Sequence, residues 1–258
     1  SYLNIVEATP RNTAAAIAFA AFAADSEDIL IITPSDHIID KMDDYNNAIQ
    51  KAIAKANDGF IVTFGIIPTK PETGYGYIEF EGNCVLAFHE KPSLDRASDF
   101  LEQGNFYWNS GLFCFKARVF LQELQKQEPE VYSASKTAWE ANIDGFLDYE
   151  LSLKIPSISI DYAVMERSKK IKVVPASFSW SDLGSFESVY EYLLLNGHPV
   201  DSNGNMVIGC NSHTTFLAID FGICEENGKI IPKLIEVQGF PSLYNFQYHL
   251  AEKFQKHY

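Results

Sequence analysis

The sequence predicts an α/β fold: a Rossmann-like, mixed but mostly parallel sheet with helices on its faces, followed by a small β-rich C-terminal extension. Two observations carry this. Short apolar runs alternate with segments of helical spacing over the first two thirds of the chain, the rhythm of strand–helix–strand units. The runs are also continuous rather than alternating, as in strands covered on both faces.

The elements follow in order. Residues 13–24 read as a helix of small residues around Ile17, Phe19 and Phe22, with Asn12 or Thr13 able to cap it. Residues 29–33 are a strand buried on both faces, broken by Pro34-Ser35-Asp36-His37. Residues 43–56 form a second helix, with Tyr45, Ala48, Ile49, Ala52 and Ile53 on one face and Asn57-Asp58-Gly59 at its end. Residues 60–67 are a second buried strand. After a loop over 68–76, residues 77–80 and 85–89 form a hairpin across Glu81-Gly82-Asn83. Residues 106–115 are an aromatic strand interrupted by Asn109-Ser110-Gly111. Helices are expected over 117–127, 133–142 and 160–167, the last capped by Ser159. A strand follows at 171–175 and a helix at 184–195. Beyond Asn196-Gly197-His198-Pro199, residues 206–210, 216–223 and 229–237 read as β and 241–256 as helix. The expected domains are therefore 1–198 and 199–258.

The 258 residues are 47% hydrophobic and 21% charged, which is ordinary globular composition. The formal net charge of −14 disfavours nucleic acid and anionic lipid as bulk partners. It leaves room for one anionic small molecule that meets local cations or brings a divalent metal. No uncharged apolar run reaches the roughly 18 residues of a membrane span. The stretch SYLNIVEATPRN has no secretory pattern. The four cysteines, Cys84, Cys114, Cys210 and Cys224, have no metal-ligand spacing and read as reduced thiols of a cytoplasmic protein. The 19 Phe and 13 Tyr supply a large core or a subunit interface, so a homo-oligomer stays open.

Several polar groups fall where a ligand would be met. Asp36 directly follows a strand, and in open α/β sheets ligands bind beyond the strand carboxyl ends. A carboxylate there suits a divalent cation, with His37 beside it; it equally suits a cap on the next segment. Asp182, in Trp180-Ser181-Asp182-Leu183-Gly184, repeats the arrangement. Were the two to converge, they could hold the metal of a phosphoryl-transfer site. Glu72-Thr73-Gly74-Tyr75-Gly76-Tyr77 allows close approach of backbone to ligand, or is a surface turn. Glu90 could accept two sugar hydroxyls while Lys91 pairs a phosphate, or the pair is a solvated strand end. Asn109, inside an aromatic strand, needs a partner or a ligand.

Seven segments in order resemble one family: RNTAAAI at 11–17, PSDH at 34–37, ETGYGYI at 72–78, FHEKP at 88–92, WNSGLF at 108–113, SIDYAVME at 159–166 and WSDLGSF at 180–186. The set, spanning about residues 7–210, resembles the mannose-1-phosphate guanylyltransferases, which are bacterial sugar nucleotidyltransferases. The resemblance implies the sugar-nucleotidyltransferase fold and transfer of GMP from GTP to mannose 1-phosphate, giving GDP-mannose and pyrophosphate. It implies that Asp36 and Asp182 hold Mg²⁺, and that Glu90, Asn109 and the Tyr75-Gly76 stretch sit at the sugar. Lys91 would face the sugar phosphate, and Arg11, Asn12 and Thr13 the nucleotide. Asp161 either lies at the sugar pocket or supports it.

The sequence also departs from that pattern. Ala15 stands where the family usually has proline. The family opens with a strand and a GGxGxRLWPLS loop around the triphosphate, and no such loop is present among these residues. The chain therefore reads as truncated, with little or no catalysis expected of it alone. Another hexose-1-phosphate nucleotidyltransferase, or a catalytically silent sugar-nucleotide-binding chain, are the alternatives. After about Phe216 the segment AIDFGICEENGKIIPKLIEVQGFPSL weakly resembles the terminal hairpin of ATP-grasp enzymes. There Asp220, Glu236 and Gln238 would bind Mg²⁺ with ATP. It also reads as an ordinary hairpin.

Overall fold

The computed structural model describes residues 3–82, 84–183, 186–197, 218–226 and 229–238. In chain order the elements are α1 (Asn12–Ala23), β1 (Ile29–Ile32), β2 (Ile38–Asp40), α2 (Met42–Asn57), β3 (Ile61–Ile66), β4 (Tyr77–Glu81) and β5 (Cys84–His89). Then come α3 (Leu94–Gln103), β6 (Phe106–Lys116), α4 (Ala117–Gln127), α5 (Pro129–Glu140), α6 (Tyr149–Leu153) and a π-helical turn, Asp161–Met165. β7 (Ile171–Pro175), β8 (Ser179–Ser181), α7 (Phe186–Leu195), β9 (Ala218–Glu226) and β10 (Lys229–Gln238) follow. Two compact units result: Ser1–Thr33 with Lys41–Phe178, and Pro34–Asp40 with Ser179–Tyr258. The expected boundary at 198–199, the strand at 206–210 and the helix at 241–256 lie outside the described residues.

The first unit is built on a six-stranded sheet in the order β1-β6-β3-β7-β5-β4, with β4 also pairing β6. The sheet is mixed, as expected, but not mostly parallel. Among the described residues only β3 and β7 pair in parallel. The reason is β6. It arrives through the β4–β5 hairpin and α3, and runs antiparallel to β1, β3 and β4. Strands that a chain of crossovers would have left side by side are thereby separated.

β3 is buried along almost its whole length, because helices cover both faces. Tyr45 of α2 packs edge-on against Phe178, which in turn meets Phe64. Ile61 belongs to the opposite layer, with α1, α4, α5 and the Asp161–Met165 turn. Fully buried Ala14, Ala15 and Ala18 let α1 approach its neighbours closely. β1, in contrast, is an edge strand with Ile31 41% exposed, so its expected burial on both faces does not hold. An apolar run signals a strand but not its place in the sheet.

β6 passes through Asn109-Ser110-Gly111 without ending. The register shifts there: Thr63 opposes Phe113 while Gly65 opposes Asn109. Gly111 takes φ +70°, a left-handed conformation that glycine adopts without strain. Bulges of this kind re-aim side chains, often beside functional sites.

In the second unit β2 and β8 form a short antiparallel ladder, with Ile38 opposite Ser181 and Asp40 opposite Ser179. β9 and β10 form an antiparallel hairpin whose register sets Asp220 opposite Glu236 and Gln238 opposite Ala218.

Candidate active site

In the first unit, four chain segments bring polar groups together around Asn109. Its backbone N–H donates to the Gly76 carbonyl at 2.7 Å, tying β6 to the 72–76 loop. Its side-chain Oδ1 accepts from the Thr63 hydroxyl at 3.1 Å and from the Gly111 N–H at 3.2 Å. Its Nδ2 donates to Asp161 Oδ1 at 3.1 Å. Asp161 heads the π-helical turn, and that turn is anchored in its turn by α1: Thr13 Oγ1 accepts the Ile160 N–H at 2.9 Å.

Glu90 stands directly after β5 and lies against Gly76. A Cβ on Gly76 would fall 2.6 Å from Glu90 Oε2 and 3.4 Å from the Asn109 Cβ. The absence of a side chain at 76 is what leaves room for that carboxylate. Burial, then the negative charge of Asp161, pushes the Glu90 pKa up to about 7; Lys91 opposes this and Glu166 adds to it. Asp161 is raised as well, first by burial, while its own backbone N–H and the Asn109 amide pull the other way. Glu90 and Asp161 are thus two neighbouring carboxyl groups whose pKa values are both raised, chiefly by burial. Lys91 acts on both groups from a left-handed backbone conformation, φ +44°. For a residue with a Cβ this is strained.

In the second unit, the β2–β8 ladder sets Asp36 and Asp182 at one end. Asp36 lies two residues before Ile38, and Asp182 one residue after the Ser181 that opposes it. His37 feels the charge of both. Trp180 Nε1 donates to His37 Nδ1 at 3.2 Å, so the neutral ring carries its proton on Nε2, which faces Asp36 Oδ1 at 3.8 Å. Burial lowers the His37 pKa, and the charges of Asp36 and Asp182 both oppose that. Leu183, next to Asp182, has φ +48°.

The donor set is all oxygen and anionic, the chemistry that suits Mg²⁺. Among the described residues no group of three or more His, Cys, Asp and Glu forms a metal site. Mg²⁺ commonly takes only one or two carboxylates, with phosphates and water completing its shell.

Gly76, Glu90, Lys91, Asn109 and Asp161 are thus brought together in one unit, and Asp36 and Asp182 in the other. Tyr75 packs edge-on against Trp108 at 5.2 Å. Arg11 donates from Nε to the Ile155 carbonyl at 2.5 Å. Asn12 takes φ +70° with its Oδ1 accepting the Thr13 N–H. Arg11 and Thr13 therefore secure residues 155–160. Two further residues act on these groups without being among the expected site residues, Glu166 through its charge and Thr63 through its hydroxyl. Glu166 closes the motif that contains Asp161. Thr63 is a lone hydroxyl in a fully apolar strand, and a buried hydroxyl needs a partner.

The fold is that of an α/β protein with a mixed central sheet, and its polar cluster is built on two of the sheet's strands, β3 and β6. The chain belongs to the nucleotidyl transferase family, which matches residues 1–195. It is 43% identical over 236 residues to a mannose-1-phosphate guanylyltransferase of Sinorhizobium fredii, covering 83% of this chain and 46% of that protein. The chain spans about half the length of the curated relatives it matches. Among solved structures it resembles a mannose-6-phosphate isomerase from Helicobacter pylori, with 44% identity and a TM-score of 0.66 over 69% of this chain and 74% of that one. It also resembles a mannose-1-phosphate geranyltransferase from Thermus thermophilus, with 29% identity and a TM-score of 0.64 over 76% and 59%. Among the described residues no helix is long and apolar enough to cross a membrane.

Proposed function

We propose that this chain is part of a cytoplasmic enzyme that transfers GMP from GTP to mannose 1-phosphate, forming GDP-mannose and pyrophosphate. The observation that carries the reading is the Glu90–Asn109–Asp161 pocket of a nucleotidyl transferase chain. A carboxyl, an amide oriented by its neighbours and a second carboxyl bonded to that amide suit the hydroxyls of a hexose. The three relatives above all carry a phosphorylated mannose in their names, which supports that sugar.

In the reaction, a phosphate oxygen of mannose 1-phosphate attacks the α-phosphorus of GTP in line. A new P–O bond forms, the bond from the α-phosphorus to the bridging oxygen breaks, and pyrophosphate leaves. Such a displacement needs positioning and charge neutralisation more than covalent help. Glu90 and Asn109 hold the sugar hydroxyls, Tyr75 and Gly76 flank the sugar, and Asp161 either meets it or holds Asn109. Lys91 supplies a cation to the sugar phosphate. Arg11, Asn12 and Thr13 serve the nucleotide side. Asp36 and Asp182 would hold Mg²⁺, which would supply neutralisation of phosphate charge.

The test is pyrophosphate release by the intact protein across a panel of nucleoside triphosphates and hexose 1-phosphates. GTP with mannose 1-phosphate is expected to be fastest. Preference for UTP or dTTP, or for another hexose 1-phosphate, overturns the assignment.

A further inference from the structure

We infer that Thr63 is a positioning residue for the sugar, acting through Asn109; this rests on the reading of Asn109 as a ligand of the sugar hydroxyls. Thr63 is fully buried in the middle of β3, so it cannot itself meet a substrate. Its neighbours along the strand, Val62 and Phe64, are equally buried and apolar. A hydroxyl in that setting is costly unless bonded. Its Oγ1 lies 3.1 Å from Asn109 Oδ1 and 3.4 Å from the Leu112 carbonyl, with Asn109 the nearer acceptor.

The consequence concerns which way the Asn109 amide faces. A primary amide has an acceptor end and a donor end of nearly the same shape, and its environment must choose between them. Two donors meet the Oδ1 end: the Thr63 hydroxyl and the Gly111 N–H, the latter presented by the left-handed turn at 111. One acceptor, Asp161 Oδ1, meets the Nδ2 end. Flipping the amide would set its N–H₂ against the Gly111 N–H and its oxygen against a carboxylate. Nδ2 has two hydrogens. With one directed to Asp161, the second is the donor offered to a sugar hydroxyl. Thr63 thus joins the Gly111 N–H and Asp161 in fixing a donor where an unfixed amide would offer donor and acceptor in turn. It also reaches across the bulge, where the register between β3 and β6 shifts, and ties the bulged segment to the rigid central strand.

The experiment is a double-mutant cycle on the intact protein, with dissociation constants for mannose 1-phosphate and for GTP measured by titration calorimetry. Thr63→Val keeps the shape and removes the donor. It is expected to weaken mannose 1-phosphate about tenfold, the worth of one well-placed hydrogen bond, and to leave GTP unchanged. Thr63→Ser, which restores the hydroxyl, is expected to return the affinity to within about twofold of the starting protein. Asn109→Ala is expected to weaken the sugar phosphate at least as much as Thr63→Val, and the double variant no more than Asn109→Ala alone, because both act through one amide. Should Thr63→Val fail to fold, Thr63→Ala takes its place in the cycle. Unchanged affinity in the Thr63 variants beside a loss in Asn109→Ala overturns the role of Thr63 and leaves the pocket standing. Additive losses overturn it too, since Thr63 would then act by another route. Unchanged affinity in Asn109→Ala, or no binding of mannose 1-phosphate by the unsubstituted protein, removes the sugar reading of Asn109 and the role of Thr63 with it.

Discussion

Asn109 and Asp161, separated by 52 positions in the chain, meet in a 3.1 Å hydrogen bond from the amide Nδ2 to the carboxyl Oδ1. That bond joins the bulge of β6 to the π-helical turn, and both ends are braced: Asn109 by Thr63 and Gly111, the turn by Thr13. Asp161→Ala removes the acceptor and leaves the amide facing an empty position. A loss of about 1–3 kcal/mol of stability is expected, read as a lower midpoint in urea unfolding. An unchanged midpoint would show that the bond contributes nothing to holding the turn.

Gly76→Ala places a methyl group where Glu90 Oε2 now lies, 2.6 Å from the new Cβ. Because Gly76 is not in the left-handed region, the backbone accepts alanine. The strain falls on the Glu90 side chain, which can swing away. Mannose 1-phosphate affinity is expected to fall about tenfold or more, equivalent to about 1.4 kcal/mol, with the thermal midpoint little changed. Calorimetry with unaltered affinity would mean that Glu90 is not a sugar ligand.

Glu90 gives the pocket a pH dependence. Its pKa is raised from 4.5 to about 7 on folding, chiefly by burial. The folded protein therefore keeps a proton that the unfolded chain has released. The stabilisation associated with this group is full below about pH 4.5 and is lost as pH rises through about 7. The stability of the protein relative to Glu90→Gln is expected to decline between about pH 5 and about pH 8, measured by urea unfolding at each pH. Mannose 1-phosphate affinity should move the other way, rising over the same interval, because the ionised carboxylate accepts two hydroxyls. Parallel profiles for the two proteins would contradict both expectations.

Asp36 and Asp182 leave one end of the β2–β8 ladder. Asp36→Ala and Asp182→Ala are each expected to reduce Mg²⁺-dependent turnover of the intact protein more than about a hundredfold, the loss of several kcal/mol of charge stabilisation. Mannose 1-phosphate binding measured without metal should be unaffected. Retained turnover in either variant removes the metal assignment.

Much of the first unit could be read from residue pattern because its signals are local. Ile61–Ile66 reads as a covered strand since every position but Thr63 and Gly65 is apolar, and the structure buries it. The hairpin at Gly82 and the end of α2 at Gly59 follow from turn chemistry, and both glycines have positive φ. α3 had comparable signals, Ser93 before it and Gly104 at φ +73° after it, yet was not assigned. The parallel or antiparallel sense of β6 was not legible, because it depends on which of β1, β3 and β4 the strand joins after α3. The β2–β8 ladder was hidden for a related reason. Each partner has three residues, and the partners lie far apart in sequence. The proximity of Asp36 and Asp182 depends wholly on that ladder, so spacing could pose it only as a condition. Glu90 at a strand end and Asn109 inside an aromatic strand stand out by residue type and place, and Asp161 through family resemblance. Thr63 and Glu166 do not, since one acts through another side chain and the other through its charge.

The central claim is that mannose 1-phosphate receives a guanylyl group. GTP labelled in its α-phosphate, mixed with mannose 1-phosphate, Mg²⁺ and the intact protein, tests it most directly. Label recovered in GDP-mannose, with an equal amount of unlabelled pyrophosphate, is the result expected. Label remaining in GTP, or released as GMP with no sugar nucleotide formed, would contradict it.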